Sequence, residues 1–152
     1  MKELCVRLLN ERGVELKDIA ECVIFLQSKY YPQLNVEMAL EGVEAVLDKR
    51  EVQNAILTGI FLDKSAEKGM IEGPLSEMLL KDEGLYGIDE VLAYGICNLY
   101  GSIALTNYGY IDKVKPLIIN KLNSKGKQCN TFLDDIVGAI AASAASRLAH
   151  NR

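Results

Sequence analysis

An all-α, single-domain fold is what the sequence predicts, on three observations. Apolar residues recur at three-and-four spacing in segment after segment, no stretch of useful length alternates as a half-buried strand would, and the chain closes on an Ala-rich, nearly uncharged run, TFLDDIVGAIAASAASRLA. In that run, Thr131–Ala149, no charge follows Asp134 and Asp135 until Arg147. A surface helix would carry one polar face; this one is small and apolar almost all round. It is therefore expected to be the central buried helix, with about five or more helices around it. The apolar run is too short to span a bilayer. Thr131, with an acid three residues on, resembles a capping box in which Asp replaces the usual Glu or Gln.

The other elements follow from the same logic. Lys2–Glu11 places Leu4, Cys5, Leu8 and Leu9 on one stripe, and Gly13 suits its C-terminal cap. A second helix over Glu15–Ser28 carries Ile19, Ala20, Val23 and Leu26, and Tyr30-Tyr31-Pro32 ends it. Asn35 is the expected N-cap of a helix through Met38, Leu40, Val43 and Leu47. Near Lys49-Arg50-Glu51 that helix either continues or kinks into Val52, Ala55, Ile56, Gly59 and Leu62, and Gly69 closes the stretch. Pro74, at a first helical position, opens a short helix to Lys81, followed by a glycine-marked loop over 81–87. Asp89 is positioned to cap a helix beginning at Glu90 and running to about Tyr100 or Leu105. The Tyr/Gly/Asn stretch Thr106–Ile111 reads as a loop, with Asp112 as the next cap and Pro116 in the first turn of a helix ending near Leu122. Asn123–Asn130 reads as a polar, mobile loop.

Composition narrows the function classes. With 49% hydrophobic and 25% charged residues and a net charge of −4, the chain is ordinary for a globular domain. Its basic residues are scattered, without the basic stripe that nucleic acid requires. Cys5, Cys22, Cys97 and Cys129 form no CxxC pair and read as reduced, mostly buried thiols of a cytosolic protein. No base is placed to activate them. His150, the one histidine, is a frayed surface group near the end, which removes most histidine-based catalysis. The glycines fit no phosphate-loop or dinucleotide fingerprint. Val91–Ile111 holds no charge and is long enough to cross a membrane, yet its Asn98, Ser102, Thr106, Asn107, tyrosines and glycines suit a segment enclosed by protein.

What remains is acidic. Asp82-Glu83, Asp89-Glu90, Asp112 with Lys115-Pro116, and Asp134-Asp135 all stand at expected loop-to-helix junctions. Hard cations such as Mg²⁺ take carboxylate oxygens and often share the ion with a substrate phosphate, and a nearby lysine supplies further positive charge. Capping alone accounts for a single Asp89 or Asp112, and Asp82-Glu83 reads equally well as a solvated loop. Asp134-Asp135 is different. Adjacent helical side chains do not face the same way, so in an enclosed helix both cannot rest in solvent. A buried acid pair is costly unless it is paired, metal-bound or at a cleft.

Ile88-Asp89-Glu90-Val91, Tyr110-Ile111-Asp112-Lys113-Val114-Lys115-Pro116 and Phe132-Leu133-Asp134-Asp135-Ile136-Val137-Gly138-Ala139 resemble, in order and spacing, three motifs of the phosphatidylglycerophosphatase A family. Those motifs are (W/I)-D-E-x, aromatic/apolar-D-x-x-K-P and x-L-D-D-x-x-A-G. The stretches KREVQNAILTGIFLDKSAEKG and DEGLYGIDEVLA are similar to the family's soluble branch of YutG-like and low-temperature-requirement-C-like proteins. The resemblance implies a helical domain around a central helix and Mg²⁺-dependent hydrolysis of the phosphomonoester of phosphatidylglycerophosphate. It implies Asp89, Asp112, Lys115 and Asp135 as catalytic residues and Asp89, Glu90, Asp134 and Asp135 as metal ligands. The membrane members carry apolar spanning segments and a proline-rich N-terminal G-T-x-G-type motif. Neither is found here, where Leu57-Thr58-Gly59 is a faint echo.

The expected function is thus a Mg²⁺-dependent phosphomonoester hydrolase acting on a lipid phosphate or on a more soluble phosphomonoester. The alternative is a non-catalytic metal- or ligand-binding module that works through partners. A cytoplasmic location, with possible peripheral contact at the inner membrane face, and a homo-oligomer, most simply a dimer, complete the expectation.

Overall fold

The computed structural model describes residues 1–124, 126 and 128–151. Positions 125 and 127, within the loop expected to be mobile, lie outside the described residues. In chain order the helices are α1 Lys2–Glu11, α2 Leu16–Gln27, α3 Val36–Leu47, α4 Arg50–Glu67, α5 Pro74–Lys81, α6 Ile88–Cys97, α7 Ser102–Val114, α8 Leu117–Asn123 and α9 Leu133–His150. Among the described residues there is no strand.

The Ala-rich helix is the axis. Every residue of α9 from Leu133 to Ser146 is buried, and α2, α3, α4, α6, α7 and α8 all pack on it. Small residues set how closely they approach. A Cβ on Gly59 of α4 would stand 2.3 Å from Ile136 Cδ1 and 3.1 Å from Phe132 Cβ, so any side chain there would force the Ile136 side chain aside and press on α9. Gly42 of α3 faces Ala144, and Gly138 of α9 faces Ile111 and Tyr108. All four cysteines are free and buried, and burial pushes the Cys22 and Cys97 thiols up to about 12.

Several boundaries came out as read. The Asn35 side chain accepts the Met38 amide at 2.9 Å, Pro74 opens α5, and Gly13 takes φ +91° just after α1. The choice between a continuous and a broken α3–α4 resolves as a break. Lys49 is extended, and Gln53 Nε2 donates to the Leu47 carbonyl at 2.8 Å, satisfying a carbonyl at the end of α3.

Five expectations fail. Thr106–Ile111 is the interior of α7, not a loop. Ala104, Tyr108 and Ile111 are buried at helical spacing against α9, and that packing outweighs the weak helix propensity of Asn, Gly and Tyr. Asp112 consequently lies in the last turn of α7 and caps nothing at its start. Asp89 is no cap either: α6 begins at Ile88 behind Gly87, whose φ of +75° makes the turn. The Thr131 capping box is absent, since Thr131 Oγ1 donates instead to the Leu79 carbonyl. Finally, Val91–Ile111 is not enclosed: Val91 is 59%, Tyr94 44%, Leu105 37% and Tyr110 55% exposed. Among the described residues, no helix is long and apolar enough to cross a membrane.

Candidate active site

The start of α9 would leave free N–H groups inside the protein. Asp63, fully buried on α4, supplies the missing acceptors from 69 and 70 residues away in sequence. Its Oδ1 takes the Phe132 amide at 3.0 Å, and its Oδ2 takes the Leu133 amide at 3.0 Å. A carboxylate at this position also suits the helix dipole. Arg12, paired with Glu67 and donating to the Cys129 carbonyl at 2.6 Å, closes the same corner. Burial raises the Asp63 pKa to about 7, held back by the two amides, Arg12 and Cys129.

In the same first turn of α9, Asp134 and Asp135 are 4% and 5% exposed, and Asp89 from α6 is 7% exposed. These three carboxyl groups form the floor of the site. Asp89 lies close enough to Asp135 to help raise its pKa. Tyr108 of α7 donates its hydroxyl to Asp135 Oδ1 at 2.6 Å, and the Asp135 amide donates to Asp134 Oδ1 at 2.9 Å. Lys115, at the end of α7, lies 3.1 Å from Asp112 Oδ1 and 3.7 Å from Asp134 Oδ2. Glu90, hydrogen-bonded to Tyr94, senses the charges of Asp112, Asp89 and Lys115. Asp112 and Lys115 are partly exposed and form the rim.

The electrostatics are those of an acid cluster short of positive charge. Burial raises the Asp134 pKa, Lys115 pulls it back, and Asp82 and Asp112 raise it again. Burial also raises Asp135, reinforced by Asp134 and by Asp89. Glu90 is raised by burial and by Asp112 and Asp89. For Lys115 burial works against the charge, but Asp112, Asp134 and Asp135 prevail and hold its pKa above that of an ordinary lysine. Tyr108 is raised by burial and by Asp135, so it remains a hydrogen-bond donor. Backbone strain collects at the same end. Asp82, Lys115 and Leu117 have φ of +52°, +50° and +55°, left-handed values that Lys and Leu rarely adopt.

Asp89, Glu90, Asp112, Lys115, Asp134 and Asp135, each picked out in the sequence, therefore come together from α6, α9 and the end of α7. Among the described residues, no three His, Cys, Asp or Glu side chains are gathered as the ligands of a metal ion would be. The donor set nonetheless fits a hard divalent cation. It is all carboxylate oxygen, and among the described residues Lys115, Tyr108 and the Asp135 amide relieve the repulsion of its buried acids. Tyr108 and Asp63 escaped the sequence reading. Tyr108 was hidden by the loop assignment, although it stands four residues before Asp112 on one helical face. Asp63 carried a signal, as a lone acid four residues after Gly59 on the apolar stripe of α4.

Comparison with known proteins finds relatives that share the sequence and the fold. The chain is 62% identical over 143 residues to the uncharacterized protein YutG of Bacillus subtilis (strain 168), covering 93% of this chain and 86% of that one. A protein of unknown function from Bacillus stearothermophilus superposes with a TM-score of 0.97 at 60% identity, over 99% of this chain and 94% of the other. The low temperature requirement C protein from Listeria monocytogenes does so with a TM-score of 0.96 at 61% identity, over 99% and 95%. The sequence profile of phosphatidylglycerophosphatase A matches residues 12–150, and the chain belongs to that family.

Proposed function

We propose that this protein is a Mg²⁺-dependent phosphomonoester hydrolase. The observation that carries the reading is the convergence of Asp89, Asp134 and Asp135 on one buried floor with Lys115 above it. A phosphate dianion meets repulsion in such a site unless a cation stands between it and the acids. Asp89, Glu90, Asp134 and Asp135 would hold Mg²⁺. When bound, the ion supplies charge neutralisation and Lewis-acid polarisation of the phosphoryl group.

The chain's own residues do the remaining work. Lys115, fixed by Asp112, offers its ammonium to a phosphate oxygen at the rim. The Tyr108 hydroxyl holds Asp135 in one orientation, and the raised pKa of Asp135 keeps a proton there that leaves when a cation enters. Asp63 and Arg12 fix the first turn of α9, and so the placement of Asp134 and Asp135. The substrate is the phosphomonoester of phosphatidylglycerophosphate or a more soluble one. Phosphate release is measured on both, with Mg²⁺ and with EDTA. Mg²⁺-dependent turnover is expected, and no turnover of any phosphomonoester would refute the enzyme reading.

One observation favours the alternative, a non-catalytic metal- or ligand-binding module. Gly59, in the stretch that faintly echoes the family's N-terminal motif, is used for packing against Ile136 and not for chemistry. Under that reading the same sample binds Mg²⁺ by calorimetry and releases no phosphate.

A further inference from the structure

Helix α4 uses two of its sides. Gly59 and Asp63, one turn apart, meet the start of α9. Leu57, Phe61, Lys64 and Lys68 recur at three-and-four spacing on another side, where α1 packs beside α4. With Leu8 of α1 they line a groove of about 320 Å³. Its recessed part holds Ile60 and Ser65, only 2% and 5% exposed. Gly69, at φ +69°, turns the chain back after α4, and the Met70 amide donates to the Ser65 carbonyl at 2.9 Å. That turn brings Met70 onto the same groove. Phe61 and Met70 line it while 64% and 65% exposed.

Every charged residue lining the groove is a lysine, on a chain of net charge −4. Among the described residues neither Lys64 nor Lys68 forms a salt bridge. Glu67, between them in sequence, is held by Arg12 and by the Cys129 amide. Apolar walls with a few placed polar groups are the make-up of a small-molecule site. We infer that the α1–α4 groove binds an amphiphile made of one unbranched alkyl chain and an anionic head. The chain lies against Leu8, Leu57, Ile60, Phe61 and Met70. Lys64 and Lys68, whose long stems run along the apolar wall, take the head. Other occupants fit less well. A second copy set on this face by a two-fold axis would bring lysines together with no acid in the groove to answer them. A bilayer surface is broad and would leave the recess at Ile60 and Ser65 unfilled. The inference does not rest on the chemistry proposed for the acid cluster.

The test is isothermal titration calorimetry of the full chain with dodecanoate, kept below the concentration at which it forms micelles. Dodecyl glucoside, with the same chain and a neutral head, and acetate, with the head and no chain, are titrated alongside. One-to-one saturable binding of dodecanoate is expected, with no binding of acetate and the glucoside weaker by about tenfold or more. Phe61→Ser, and Lys64→Ala combined with Lys68→Ala, should each weaken dodecanoate by about tenfold or more, with the melting temperature nearly kept. Should the double lysine variant fail to fold, Phe61→Ser decides, because Phe61 is largely exposed. No binding, equal binding of the glucoside, or binding that the folded variants leave unchanged overturns the inference. Flotation with phosphatidylglycerol vesicles, lost in the same variants and without dodecanoate binding, would give the groove to a bilayer and equally overturn it.

Discussion

Two groups of buried acids meet at the first turn of α9, and their partners could hardly differ more. Asp63 accepts the Phe132 and Leu133 amides, with the Arg12 charge nearby. Asp134 and Asp135 face each other's charge and that of Asp89, with Lys115 and Tyr108 as relief. Burial disfavours ionisation in both groups. What separates them is satisfaction: the first carboxylate completes a helix end, while the second group is incomplete without a positive ligand. A buried acid is thus a poor functional signal by itself, and its partner list is the informative quantity.

Mutating each group should move opposite properties. Asp135→Asn is expected to lower phosphate turnover by about 10²–10³-fold, measured as Mg²⁺-dependent phosphate release. Its melting temperature should stay level or rise, because a repulsive charge is removed while an oxygen remains for Tyr108. Asp63→Ala should do the reverse in kind. Stranding two buried amides is expected to cost about 3 kcal/mol in urea unfolding. Any activity it loses should follow the loss of folded protein.

A smaller effect sharpens the same corner. Gly59→Ala drives a methyl toward Ile136 and Phe132, and such overpacking is expected to cost about 1–3 kcal/mol by denaturant titration. The smallest is a pH slope. Asp63 has its pKa raised from 3.8 to about 7 on folding, so between those values the native state holds a proton that the unfolded chain has released. Stability from this group is greatest at the acid end, falls as pH rises through that window, and is flat above it. In Asp63→Asn that part of the slope should vanish from melts taken between pH 5 and pH 8.

The sequence was legible where the cause is local or periodic. The α9 run, the Asn35 cap and the Pro74 start are short-range physics, and the acidic motifs stood out because adjacent acids head an uncharged helix. It was misleading where a distant group supplies what a local pattern seems to promise. Thr131 and Asp134 have capping-box spacing, yet the helix is capped by Asp63. Tyr108, Gly109 and Tyr110 read as a loop until α9 gives Tyr108 and Ile111 a surface to bury against. Val91–Ile111 read as enclosed because its Asn, Ser and Tyr content suits protein surroundings and not lipid, yet its Val91, Tyr94, Leu105 and Tyr110 stand exposed.

The account rests on the acid floor being completed by a divalent cation. Titration calorimetry with Mg²⁺, in two buffers of different ionisation heat, tests this most directly. Carboxyl groups with raised pKa values must give up protons when a cation enters. Saturable binding is therefore expected, with a heat that differs between the buffers, and both should be lost in Asp135→Asn. No binding, or binding that Asp135→Asn leaves unchanged, would contradict the account.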